Sequence, residues 1–172
     1  MRTITKCAWS LLAIMMMGLI SCGDDDEVQF SAEQMAYMKK NREYIWEKKA
    51  EKDENGQPKY KTVVVAGDTA LYRIVDKKGD WTTKPNINNT VHLLDLEGKY
   101  IDGKVFQKKL DKSSFPMNGI IPGLTGVLME IRLDETVEAI IPASLGYGFN
   151  DYMGMIPGGS TLIFTFTLDK VE

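Results

Sequence analysis

Cysteine is nearly absent from this 172-residue chain, occurring only at Cys7 and Cys22. Both lie close to the N-terminus, so the body of the chain has no thiol for a disulfide, a thiolate metal site or a cysteine nucleophile. Histidine occurs once, at His92. A lone imidazole with no Ser/His/Asp spacing rules out a hydrolytic triad, and no cluster of metal-ligating residues accompanies it. His92 therefore reads as a strand residue, with no metal and no cofactor implied. The sequence also lacks a nucleotide-binding glycine loop, so Gly146-Tyr147-Gly148 and Pro157-Gly158-Gly159 read as turns when taken alone. Positive charge is not in excess either. The formal net charge is −3, and a nucleic-acid partner would need a basic stripe. What remains is a chain of ordinary composition, 44 % hydrophobic, long enough for one core-forming domain with appendages.

Residues 1–21 have the makings of a signal peptide. Arg2 and Lys6 precede an apolar run from Ala8 to Ile20. That run falls short of the roughly 20 residues of a membrane-spanning helix. Leu19-Ile20-Ser21-Cys22 resembles a bacterial lipobox, which implies lipidation of Cys22 and a membrane anchor; a plain signal peptide with an incidental cysteine is the alternative. Gly23-Asp24-Asp25-Asp26-Glu27 follows, a like-charge run that reads as a solvated tether over 22–30. An acidic run there also resembles the surface-export signal of lipoproteins in Bacteroidetes-like bacteria. This resemblance implies a location on the outer membrane, exposed at the surface, with that membrane's inner face as the alternative.

A helix is expected next, from about 32 to 53 within a segment spanning 31–56. Ser31 with Gln34 three positions on forms a capping-box pattern. Met35, Met38, Ile45 and Trp46 recur at helical spacing. Asn55-Gly56-Gln57-Pro58 supplies the stop. The apolar stripe has two candidate partners: the C-terminal domain of the same chain, or the same helix of a second copy in a homodimer.

From residue 60 onward the pattern is mostly strand. Lys61 to Ala66 is β-branched, Leu71 to Val75 is apolar on both faces, and Val91 to Leu96 and Val105-Phe106 flank the Asp102-Gly103 turn signal. Lys77 to Asn89 reads as loop. Pro122 opens a short helix through Met129, and strands follow at Thr136 to Ile141 and Thr161 to Leu168. Several strands with one inserted helix give an α+β domain.

Four blocks carry a resemblance: Asp102-Gly103-Lys104-Val105-Phe106, Ile120-Ile121-Pro122-Gly123-Leu124, Ile140-Ile141-Pro142-Ala143-Ser144-Leu145-Gly146-Tyr147-Gly148, and Ile156-Pro157-Gly158-Gly159-Ser160-Thr161-Leu162-Ile163-Phe164. In this order and spacing they resemble the FKBP-type peptidyl-prolyl cis-trans isomerases. The likeness begins at about residue 68 within a domain of 60–172. It implies an antiparallel sheet curled around one short helix, here with an N-terminal helical extension. It also implies isomerisation of X–Pro bonds in proline-containing polypeptides, assisting the folding of exported proteins. By this resemblance Phe106 walls the prolyl pocket, the Ile121 N–H grips a substrate carbonyl, and the Tyr147 hydroxyl donates a second hydrogen bond. Ile120, Met155, Ile156 and Phe164 complete the apolar lining. Three positions depart from the pattern. Gln107 replaces an aspartate, Leu124 replaces the tryptophan of the pocket floor, and Leu96 stands where a strand tyrosine is usual. These departures motivate an alternative reading, a non-catalytic module of the same fold that holds proline-containing peptides or an envelope partner.

Overall fold

The computed structural model describes residues 29–79 and 82–172. The expected signal peptide, Cys22 and the acidic tether up to residue 28 lie outside the described residues.

Helix α1 (Ala32–Ala50) opens on the capping box that its sequence carries. The Gln34 N–H donates to Ser31 Oγ at 3.1 Å, and the Ser31 N–H donates to Gln34 Oε1 at 2.8 Å. The helix stops about a turn short of the expected end, because Glu51 takes extended backbone. Its carboxylate bridges Lys48 and Lys59, and these two ammonium groups hold it down at about 2. Asp53 then caps a tight turn, accepting from the Asn55 and Gln57 N–H groups at 2.9 Å each, with Gly56 left-handed at φ +76°.

Six strands follow: β1 (Lys61–Val65), β2 (Asp68–Lys77), β3 (Thr90–Tyr100), β4 (Val105–Pro116), β5 (Glu135–Ile141) and β6 (Leu162–Val171). They form one antiparallel sheet in the order β1-β2-β5-β6-β3-β4. β4 runs far beyond the Val105-Phe106 pair expected from sequence. It is an edge strand whose Lys108, Lys109 and Lys112 face solvent. Pro116 closes it at a position where an edge tolerates a missing N–H. Inside β3, Asp95 is left-handed at φ 57°, and the pairing with β6 shifts register between Leu94 and Glu97.

The two faces of the sheet bury different things. Along β6, Leu162, Phe164, Phe166 and Leu168 point to one side and are buried. There they meet Val137, Ala139 and Ile141 of β5 and the inner face of helix α2 (Pro122–Glu130), formed by Leu124, Val127 and Leu128. Fully burying each such side chain stabilises by about 1.5–3 kcal/mol. On the opposite face Leu71, Ile140 and Ile163 stand in register across β2, β5 and β6. Tyr44 and Ile45 of α1 pack there with Tyr60. The stripe on α1 is thus split: Met38 and Ile45 face the sheet domain, whereas Met35 and Trp46 remain 55 % and 59 % exposed.

Candidate functional site

A cleft of about 370 Å³ opens between the β3–β4 hairpin and the loop that joins β5 to β6. The hairpin contributes Tyr100, Lys104, Val105, Phe106 and Gln107. Its turn is tight: the Gly103 N–H donates to Tyr100 O and the Tyr100 N–H to Lys104 O, both at 2.9 Å, with Gly103 at φ +84°. The loop contributes Tyr147, Tyr152, Met155 and Ile156.

Aromatic rings line both walls. Phe106 leans on Tyr100 at a centroid distance of 5.0 Å and meets Phe164 edge-on at 5.5 Å. Phe106 fits there because residue 98 is glycine, whose missing β-carbon leaves room for the ring. Across the cleft Tyr147 stacks on Tyr152 at 4.3 Å. The Tyr100 hydroxyl bridges the walls by donating to Met155 O at 2.6 Å. Ile156 is buried, and Met155 is 65 % exposed at the rim.

Several donors at or behind these walls, the Tyr152 hydroxyl among them, have no acceptor among the described residues, and two of the others bear on peptide binding. One is the Tyr147 hydroxyl, half-buried between Gly146 and Gly148. Burial, aided by neighbouring Tyr152, raises its pKa, so the hydroxyl keeps its proton well into alkaline solution. The other is the Ile121 N–H, which lies just ahead of α2 and outside its hydrogen-bond ladder.

The residues expected from sequence divide into three groups. Phe106, Gln107, Tyr147, Met155 and Ile156 line the cleft together. Ile121, Leu124, Phe164 and Leu96 stand behind it in the core cluster that supports the Phe106, Tyr100 and Tyr147 rings. Ile120 departs from expectation: it lines a separate depression with Met117, Thr125 and Met129 on the outer side of α2. The cause is local. Ile120 and Ile121 are consecutive extended residues whose side chains leave in different directions, and although both pack against the core, Ile120 also borders the depression beside α2. Gln107 spends its amide locally, donating from Nε2 to Lys108 O at 2.9 Å. His92 is remote from the cleft and pairs with the Glu172 carboxylate at 3.0 Å.

Sequence reasoning missed Tyr100 and Tyr152. Tyr100 is the last residue of β3, two positions before the Asp102-Gly103 turn, and that place signalled a hairpin wall. Tyr152 lies five residues after Tyr147 in the same loop, and a second aromatic in a glycine-bounded loop was the available cue.

The model of the family described as FKBP-type peptidyl-prolyl cis-trans isomerase matches residues 82–169, which take in every cleft residue. The chain belongs to the FKBP-type peptidyl-prolyl isomerase family. It is 33 % identical over 118 residues to the FKBP-type peptidyl-prolyl cis-trans isomerase FkpA of Escherichia coli K12, a match covering 66 % of this chain and 42 % of FkpA. The chain therefore spans less than half the length of that relative. The crystal structure of E. coli FkpA superposes with a TM-score of 0.60 at 26 % identity, covering 82 % of this chain and 63 % of that one. A peptidyl-prolyl cis-trans isomerase of Pseudomonas syringae pv. tomato shares the fold with a TM-score of 0.70 at 23 % identity. That match covers 84 % of this chain and 99 % of its counterpart.

Proposed function

We propose that this FKBP-type protein catalyses cis-trans isomerisation of X–Pro bonds in polypeptides at the cell envelope, held to the outer membrane by a lipid on Cys22. The barrier to that reaction, about 18–20 kcal/mol, comes from amide resonance, and no bond is made or broken. A catalyst therefore needs no nucleophile, acid or metal. It has to bind the twisted amide better than either planar form. Removing the amide from water disfavours its charge-separated resonance form, and the rings of Phe106, Tyr100 and Tyr147 with Ile156 provide such a dry surface. On this reading the Tyr147 hydroxyl and the unpaired Ile121 N–H hold the carbonyls that flank the proline. The observation that carries the reading is the Tyr147 hydroxyl: half-buried, protonated and without an acceptor beside an aromatic cleft.

The test is turnover of a short X–Pro peptide by the purified protein, repeated with Tyr147→Phe. Loss of the hydroxyl is expected to lower kcat/KM about tenfold or more while leaving the fold intact. Retained peptide binding without turnover in the parent protein replaces this reading with the binding module.

A further inference from the structure

Only one residue of α1 is buried, and it is polar. Asn41 is 1 % exposed in mid-helix, where asparagine is a poor helix former. Its Nδ2 donates back to Tyr37 O at 3.0 Å, which leaves Oδ1 aimed away from the helix. That oxygen accepts the Thr161 N–H at 2.8 Å, and the Thr161 hydroxyl donates to the Asn41 carbonyl at 3.0 Å. Pairing between β5 and β6 ends at Ile141 and Leu162, so the Thr161 N–H lies one residue past the ladder. Without Asn41 it is a buried donor with no partner.

One turn earlier, the Tyr37 hydroxyl meets Ser160 Oγ at 2.8 Å, and Ser160 Oγ donates in turn to Pro157 O at 2.5 Å. Gly159 has no β-carbon and sits at φ +81°, which lets Met38 of α1 press directly on the loop backbone. The helix therefore holds the segment Pro157 to Thr161 at three consecutive residues, 159, 160 and 161.

That segment is the far end of the loop forming one wall of the cleft, and the loop is closed on itself. The Gly159 N–H donates to Gly148 O at 2.9 Å, the Tyr152 N–H to Ile156 O at 2.8 Å, and the Gly158 N–H to Asp151 Oδ1 at 2.8 Å. A shift at Thr161 is thus passed across a single hydrogen bond to the residue after Tyr147. Tyr37 also stands beside Tyr100, Lys104 and Pro157, so the helix backs the opposite wall as well.

We propose that Asn41, assisted by Tyr37, is a positioning residue for the prolyl cleft: α1 clamps the Tyr147–Thr161 loop so that Tyr147 and Ile156 face Phe106. The role rests on the isomerase reading. It touches no substrate and acts entirely through the loop.

The experiment compares the parent protein with Asn41→Leu, Asn41→Asp and Tyr37→Phe, reading kcat/KM on an X–Pro peptide and amide hydrogen exchange. Asn41→Leu keeps the branched shape with somewhat greater bulk and removes both side-chain polar contacts, and kcat/KM is expected to fall about tenfold. Asn41→Asp keeps an acceptor facing the Thr161 N–H but loses the donor to Tyr37 O, and recovers only part of that loss. Tyr37→Phe lowers kcat/KM a few-fold with an unchanged unfolding midpoint, and it decides the matter if Asn41→Leu does not fold. Exchange is expected to rise at Gly159 and Thr161 while Leu71 and Ile140, under the other half of α1, stay protected. Unchanged kcat/KM in both Asn41→Leu and Tyr37→Phe overturns the proposal, as does a rise in exchange spread evenly over the sheet. If the parent protein shows no turnover, the isomerase reading falls alone and the exchange pattern decides whether the clamp exists.

Discussion

The ring of Phe106 lies against the backbone of Gly98, where a β-carbon would stand 2.5 Å from the ring's Cζ. Glycine at 98 is therefore a condition for the inner wall of the cleft, because the ring is also held by Tyr100 and Phe164 and has little freedom to retreat. Gly98→Ala is expected to push Phe106 toward the cleft mouth, lowering kcat/KM at least tenfold and stability by about 1–3 kcal/mol. Kinetics and denaturant unfolding read the two effects separately. A variant unchanged in both removes Gly98 from the account of the site.

Leu124 occupies the inner face of α2, buried in the core cluster that supports the cleft rings. If it closes the cleft from beneath, a larger aromatic there should give a substrate prolyl ring a flatter floor. Leu124→Trp is expected to raise peptide affinity or kcat/KM several-fold, with an overpacking cost of about 1–3 kcal/mol. Isothermal calorimetry with an X–Pro peptide checks this, and an affinity unchanged in a folded variant detaches Leu124 from substrate.

Acid sensitivity has a specific source on the α1 side of the sheet. Burial alone would raise the carboxyl of Glu138, but Arg73 at 2.8 Å and the Tyr60 hydroxyl at 2.6 Å outweigh it and hold the pKa below its ordinary value. A carboxylate depressed in the folded state stabilises at pH above its unfolded pKa of about 4.3 and loses that contribution as pH falls through the folded value. Glu138→Gln is therefore expected to be less stable than the parent at pH 7, with the gap narrowing below about pH 4. Thermal unfolding across that range tests it, and a gap independent of pH would rule out the ionised pair as the cause.

Parts of this architecture were legible in residue types and parts were not, for physical reasons. Ser31 and Gln34 marked the start of α1 because a cap is a local hydrogen-bond pattern that three residues can announce. The alternation in β6 was equally plain, since one face of that strand is core. The remainder of β4 was hidden because an edge strand exposed along most of its length carries a polar sequence, here Gln-Lys-Lys-Leu-Asp-Lys-Ser-Ser, that resembles a loop. In the site, Phe106 and Tyr147 stood out through their motifs, whereas Tyr100 and Tyr152 became part of it through the folding of a hairpin and the coiling of a loop. Ile120 lines a depression beside α2 and not the cleft, a placement that its position next to Ile121 in the motif did not announce.

The place of β6 in the sheet has a consequence for how the protein comes into being. β6 is the last strand in chain order, yet it lies between β5 and β3 and joins the β1-β2-β5 group to the β3-β4 hairpin. Until the ribosome has supplied Leu162 to Val171, the two groups share no edge, and the partner of Asn41 at Thr161 does not exist. Closing contacts this distant in sequence comes late and slowly in folding. The sheet is therefore stitched together by its C-terminal strand, and the β1-β2-β5 group and the β3-β4 hairpin become one sheet only when that strand enters between them.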